Sequence, residues 1–354
     1  MFYYFPAAVL KNQVNNEMND RVRTIEDPIG VLEHKIRLGV SQEEMRKWMK
    51  PRPARVIADL LLNWFGIILA IYLMGYFKSP VAYVLGAFWI GFRQYALFIM
   101  GHDGAHWCLH TNHKINDWLS RWFILGPMFM SLEDGRRNHL EHHKTLGTAA
   151  DPDRYLHSLS NKNSVSAFLL FCSGLATFGK TVRKVTTVRQ PAKDVSAQSA
   201  EDSTEKDNSA FLLFIKQRIP ILVAQPPIIA LFWFCQIPLW LYPLLWIAPI
   251  YFGVFLPDEI RAFCDHAIPS VPDEAVDVNR LVSFEPTWLE AMVYSPYNMN
   301  YHAEHHIWPG VPYYNRPQVY QFLKSHPAVT YRKSYTVFLF SLVRKLPLAP
   351  TKGD

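Results

Sequence analysis

Cysteine is scarce in this chain of 354 residues, and the four present, Cys108, Cys172, Cys235 and Cys264, form no C-x-x-C pair. A disulfide framework and a thiolate zinc site are therefore not expected. A basic stripe laced with aromatics is also missing. The net charge is +6, yet the basic residues lie beside apolar runs, which argues against nucleic-acid binding. The opening MFYYFPAAVLKNQ has too short an apolar core and no cleavage pattern, so no signal peptide is expected.

What the chain has in quantity is apolar and aromatic side chains, at 50% and 14% of the residues, bunched into long runs. Residues 56–77 and 81–100 each approach the length that crosses a hydrocarbon core, with a tight turn at Lys78-Ser79-Pro80 between them. Residues 219–237 and 239–257 form a second such pair, with Pro226, Pro227, Pro243 and Pro249 expected to kink them. These patterns predict an all-α integral membrane bundle of about four transmembrane helices in two hairpins. Arg93, inside the second run, should face the bundle and not lipid. The runs 118–132 and 164–178 are too short for a straight crossing and predict helices lying in the interface or dipping into it.

The basic segment 1–55 precedes the first hairpin, and it reads as short amphipathic helices with a capping signal at Ser41 and Glu44. The hairpin turns carry only Lys78, so the positive-inside rule places the N-terminal segment on the cytoplasmic side. Residues 180–210 are polar and lack aromatics, which predicts a flexible cytoplasmic loop, and residues 326–354 read as a C-terminal tail. The span count puts every remaining feature of note on one membrane face.

Those features are histidines. Eight of the fourteen fall in three short stretches: His102 and His106 in HDGAH, His139, His142 and His143 in HLEHH, and His302, His305 and His306 in HAEHH. Imidazoles at i, i+3 and i+4 share one helix face and can converge on an ion. Four to six ligands suit one metal, so this number points to two metals. His266, just after the second hairpin, is the best ninth ligand; His110 and His113 compete with it, whereas His34, His157 and His326 read as structural or solvent-facing. Thiolate-free, all-imidazole donors argue against iron–sulfur clusters and structural zinc, and three ligands per turn do not suit axial ligation of haem. Asp103, Glu141, Asp265 and Glu304 could orient the rings by accepting their distal N–H groups.

HDGAH, NHLEHHKTLGTAADPDRY and YHAEHHIWPGVPYY resemble the three histidine boxes of the integral-membrane fatty acid desaturase/hydroxylase superfamily, across residues 56–325. The resemblance implies four spans below a cytosolic histidine-rich cap, two non-haem iron ions and molecular oxygen as co-substrate. It carries the ligand role to His102, His106, His139, His142, His143, His302, His305 and His306. RAFCDH resembles a further element of the family and supports His266, with Asp265 where glutamate is commoner. Asp151 and Asp153 in DPDRY fit an element with structural or ligand-orienting roles.

No catalytic side chain beyond these ligands is implied. No histidine–proline–glycine–glycine element is present, so electrons are expected from a separate carrier, a ferredoxin or small haem protein. The leading expectation is an oxygen-dependent desaturase of a fatty acyl chain or acyl lipid. The YHAEHH…PYY stretch also resembles carotenoid ketolases, so hydroxylation or ketolation of a carotenoid or other lipid is the alternative. A non-enzymatic membrane metal binder is the third reading.

Overall fold

The computed structural model describes residues 28–148, 150–160, 162–175, 200–268 and 280–348. Helices α1 (Pro28–Leu38) and α2 (Gln42–Trp48) lead into α3 (Pro53–Phe77) and α4 (Pro80–Ala105). Proline at the start of each long helix costs no hydrogen bond, because the first N–H groups have no intrahelical partner. Lys78 ends α3 in a left-handed conformation, and the Ser79 side chain then caps α4 by accepting from the Ala82 N–H. Two residues suffice for the reversal.

α3 buries Ile67, Ile71 and Met74, while Leu61, Leu62 and Phe65 on its other face are more than half exposed. A helix apolar all round belongs in lipid. Among the described residues, four helical stretches are long and apolar enough to cross a membrane: Gln42–Phe77, Pro80–Ala105, Phe214–Phe234 and Leu239–His266. The second and fourth meet backbone to backbone. A Cβ placed on Gly253 would lie 2.5 Å from the Gly91 Cα, so only glycine permits this approach. Arg93 lies half-buried between the two helices of the first hairpin, its guanidinium 4.5 Å from the Trp89 ring and its aliphatic stem against Gly66.

α5 (His113–Leu119) continues through a π-helical turn, Ser120–Leu125, and a 3-10 turn, Gly126–Met128. This segment dips into the bundle: the indole N–H groups of Trp64 and Trp246 donate to the Phe123 and Pro127 carbonyls at 2.9 and 3.1 Å. Next come α6 (Leu132–Thr145), the single turn α7 (Arg154–His157) and α8 (Val165–Cys172).

Of the loop expected over 180–210, residues up to 199 lie outside the described residues. From Ala200 the backbone is helical, as α9 (Ala200–Phe234), which runs through Pro220, Pro226 and Pro227 without interruption. Pro243 and Pro249 fall in a span whose helix widens into π turns at Pro243–Ile247 and Tyr251–Phe255 before continuing as α10 (Leu256–His266). A π turn is the usual local answer where the regular ladder is interrupted.

The remaining elements form the cap: β1 (Val282–Phe284), α11 (Trp288–Tyr294), α12 (His302–Ile307), α13 (Arg316–Leu323), β2 (Thr330–Arg332) and α14 (Tyr335–Val343). β1 and β2 pair in parallel, Val282 opposite Thr330, a small departure from an all-helical fold. The last two elements also give structure to the stretch expected as a tail. Two apolar cores flank α12, one built on Ile36, Trp48, Ile307 and Trp308, the other on Phe168, Phe263, Phe284 and Tyr335. α12 buries Ala303 and Ile307 in the first, and its Ala303 N–H donates to the Ser283 hydroxyl of β1, the strand that carries Phe284 into the second.

Candidate metal centre

Each histidine-bearing helix presents its rings because of where it ends. His102 occupies the last turn of α4 and His106 is its C-cap; the apolar run stops near Met100, but the helix does not, so the first cluster extends the second span. Arg136 of α6 seals that end, donating to the Ala105 and Gly104 carbonyls at 3.0 and 2.9 Å and pairing with Asp117 at 2.6 Å. This cap also registers α6 against α4. α12 is anchored by Glu304, which accepts from the Ser283 and Tyr331 hydroxyls of β1 and β2, the latter at 2.7 Å.

The rings sort into two groups. The donor atoms of His102, His106, His139 and His305 all lie within 4.8 Å of one another, as do those of His142, His266, His302 and His306. His143 stands between them, its Nε2 3.0 Å from His139 Nε2 and 2.9 Å from His305 Nε2, and its ring centroid 4.2 Å from that of His306. α6 and α12 therefore each feed both groups from adjacent turns. All nine histidines expected as ligands are brought together.

The donor set fits a metal ion in each group. Both ring nitrogens of His102 and Nε2 of His106 are buried without a hydrogen-bond partner. The Nε2 atoms of His139, His143 and His305 crowd to within 3.4 Å, and those of His266, His302 and His306 meet at 2.9 and 3.1 Å. Neutral lone pairs gain little from such crowding, whereas nitrogens about 2.1 Å from a shared ion stand roughly 3.0–3.4 Å apart at octahedral or tetrahedral angles. Burial, reinforced by the neighbouring imidazoles, holds His139, His143, His302, His305 and His306 well below the ordinary histidine range. Burial, aided by Arg316 and Arg136, lowers His106 to about 3. Neutral rings are the ligating form.

The carboxylates divide. Asp151 accepts from His142 Nδ1 at 2.9 Å and from His157 Nε2 at 3.1 Å. Burial alone would raise its carboxyl, but these two hydrogen bonds prevail and hold it far below the usual range. The bond fixes the His142 tautomer, leaving Nε2 free for the second group. His266 achieves the same by donating Nδ1–H to the Arg280 carbonyl at 3.1 Å.

Asp103 pairs with the buried Arg316 and accepts the Tyr313 N–H at 2.7 Å, with its carboxylate 3.7 Å from His102 Nδ1. Asp265 pairs with Arg261 at 2.6 Å and stands 3.7 Å from His302 Nδ1. Three other acidic candidates do not orient a ligand. Glu141 is turned to solvent and pairs with Lys144 at 3.7 Å, Asp153 accepts from Asn138 at 3.0 Å, and Glu304 ties α12 to the strands.

Four residues escaped the sequence reading. His157 is buried beside His266 and bonded to Asp151, and Arg280 reaches both His157 Nδ1 (3.4 Å) and the His266 carbonyl (2.9 Å). Arg261 and Arg316 lie 3.4 and 3.3 Å from the Nδ1 atoms of His302 and His305. Arg261 opens the RAFCDH element, but the other three belong to no spaced motif. The position of His157 six residues after Asp151, within DPDRYLH, was the one available hint. His110 and His113 take no part: His110 accepts the Asn112 N–H at 2.9 Å, and His113 stacks on Trp107 at 5.5 Å.

A cavity of about 390 Å³ opens against the rings of His102, His139, His142, His266 and His302. Phe98, Leu125, Met130, Leu132, Leu156 and Phe255 form its apolar wall, and Asp134, Arg136, Asn138 and Asp258 add polar groups. Its size lies within the range of pockets that enclose a small organic ligand.

A family model described as fatty acid desaturase matches residues 78–337, a stretch that includes all nine histidines. No curated protein matches the sequence.

Proposed function

The chain belongs to the fatty acid desaturase family, and on that premise we propose that it introduces a double bond into the acyl chain of a membrane lipid or fatty acid, using molecular oxygen. The observation that carries this reading is the apolar cavity ending on a wall of neutral imidazoles. In the balanced reaction two adjacent methylenes each lose one hydrogen, and oxygen, with two further protons and two electrons, leaves as two waters. His102, His106, His139 and His305 would hold one iron ion, and His142, His266, His302 and His306 the other, with His143 between them. Such an iron pair supplies oxygen activation when bound.

The protein's own groups do the rest. Phe98, Leu125, Met130 and Phe255 exclude water around the chain and hold it beside the rings. Asp151, through His142, keeps one donor nitrogen aimed inward. Electrons come from a separate carrier, a ferredoxin or small haem protein. Its docking face is the exposed basic side of α1 and α2, with Lys35, Arg37, Arg46 and Lys47, and Lys50 just past α2. Arg37 connects that face to the site by donating to the Ile307 carbonyl at 2.5 Å, directly after His305 and His306. By the charge of this segment, the face and the histidines lie on the cytoplasmic side.

The test is mass profiling of lipids and pigments in cells expressing this chain or its His305→Ala form. An acyl chain lighter by two hydrogens, absent from the variant, is the expected result. A lipid or carotenoid gaining oxygen would replace desaturation by hydroxylation or ketolation at the same site. Bound metal with no His305-dependent product, in membranes supplied with carrier and oxygen, would leave only the metal-binder reading.

A further inference from the structure

The cap carries an apolar surface that neither the four spans nor the histidine centre uses. α8 and α14 pack around α10 through Phe168, Phe171 and Phe338, which surround Phe263 at ring-centroid distances of 5.6, 5.5 and 6.3 Å, and α11 joins the same core through Tyr294, 5.4 Å from Tyr335. Turned outward are Leu169 and Leu170 of α8, Trp288 and Leu289 of α11, and Val337 and Phe340 of α14, every one at least half exposed. Scattered exposed apolar residues need no explanation, but contiguous ones on neighbouring elements do.

The three helices are joined. Glu290 of α11 accepts from the Ser334 hydroxyl and the Thr336 N–H at 2.6 and 2.9 Å, locking its first turn to that of α14. The Val165 N–H donates to the Pro347 carbonyl at 2.8 Å, which ties the start of α8 to the chain beyond α14.

The depth of this surface can be read from the fourth span. The Tyr251 hydroxyl donates to the Gly174 carbonyl, just past α8, and a Cβ on Gly174 would touch Leu256 at 3.2 Å. Tyr251 lies within Leu239–His266, beside Phe252 and Phe255, which are 58% and 44% exposed on the outer side of the bundle. A hydrocarbon core about 30 Å thick takes up roughly twenty helical residues, which from Leu239 runs to about Asp258. The end of α8 therefore sits at a level where the span is still in hydrocarbon. Arg344 and Lys345, exposed at the C-terminal end of α14, have the character of headgroup contacts at the rim of such a face.

We propose that α8, α11 and α14 form a collar embedded in the leaflet on the histidine side, with the lipid bilayer as the occupant of their shared apolar face. Phe255, which lines the cavity and is 44% exposed, then stands between the cavity and the leaflet. On the acyl-chain reading above, the substrate reaches the rings sideways from the membrane past Phe255; the collar itself does not depend on that reading.

The test uses the full chain reconstituted in phosphatidylcholine vesicles with bromine on the acyl chains near the ester end. The Trp288 fluorescence component is the difference between the protein and its Trp288→Phe form. Phe340→Trp, added to that variant, reports from α14. Both components should lose most of their intensity in brominated against plain vesicles and little to aqueous iodide. Quenching by iodide but not bromine would put the face in water. Quenching by neither would mean that protein covers it, a second copy or the chain itself. Either result overturns the collar, whether or not the protein proves to be a desaturase.

Discussion

Asp151→Asn isolates the link between a carboxylate and one metal group. Asp151 is buried and accepts from two imidazoles, His142 at 2.9 Å and His157 at 3.1 Å, besides the backbone N–H groups of Asp153 and Gly147. Asparagine keeps the shape but has one acceptor oxygen and one amide that only donates. His157 Nδ1 already faces the guanidinium of Arg280 at 3.4 Å, so its proton belongs on Nε2, where an amide N–H would oppose it. One of the two imidazoles must lose its partner. Loss of such an orienting bond typically weakens metal affinity about 10–100-fold, equivalent to about 1.4–2.7 kcal/mol.

The weakening should be confined to the group of His142, His266, His302 and His306, leaving the other group's affinity unchanged. Metal titration of the purified protein reads both. Asp153→Asn is the control, since Asp153 accepts from Asn138 and touches no ligand ring. Wild-type affinity at both sites in Asp151→Asn, or an equal loss in Asp153→Asn, would show that Asp151 does not orient His142.

Gly253→Ala places a methyl 2.5 Å from the Gly91 Cα, a backbone atom that cannot turn aside, and should cost about 1–3 kcal/mol in thermal unfolding of the solubilised protein. Arg136→Ala removes two carbonyl contacts at the end of α4 and the pair with Asp117; a loss of about 2–3 kcal/mol is expected in the same assay, with weaker metal binding at the group containing His102 and His106. Burial pushes the Glu290 carboxyl up, but hydrogen bonds from Ser334, Thr336 and Thr287 outweigh it and hold it at about 2. Its stabilising effect is therefore complete above the unfolded value of about 4.3 and lost as pH falls towards 2, and Glu290→Gln should flatten that part of the acid-unfolding curve.

The long apolar runs made the spans legible, because some twenty residues of one character have few other uses. Their ends were not. α4 continues past Met100 through Gly101-His102-Asp103-Gly104, since apolar length measures where the lipid ends and not where the helix does. Polar composition suggested a loop up to residue 210, yet Ala200 already begins α9, whose first turns, AEDSTEKDNSA, mix Ala, Glu and Lys with Ser, Thr, Asp and Asn and so give no clear helical signal. Eight of the histidines were legible from helical spacing and the family's boxes, and His266 from its place after the second hairpin and the RAFCDH element. Their division into two groups was not, because it depends on how α6, α10 and α12 cross, which sends His139 to one group and His142 to the other. His157, Arg280 and Arg316 act through tertiary contacts spanning many residues, and an isolated residue carries no periodic signal.

Whether the nine histidines hold two metals is read most directly from the metal content and X-ray absorption spectrum of the purified protein, compared with His266→Ala. Two iron ions per chain are expected, with imidazole nitrogen as the dominant protein donor and a metal–metal contribution that is lost in the variant. A single ion per chain, or a thiolate-rich shell, would contradict a two-metal imidazole centre.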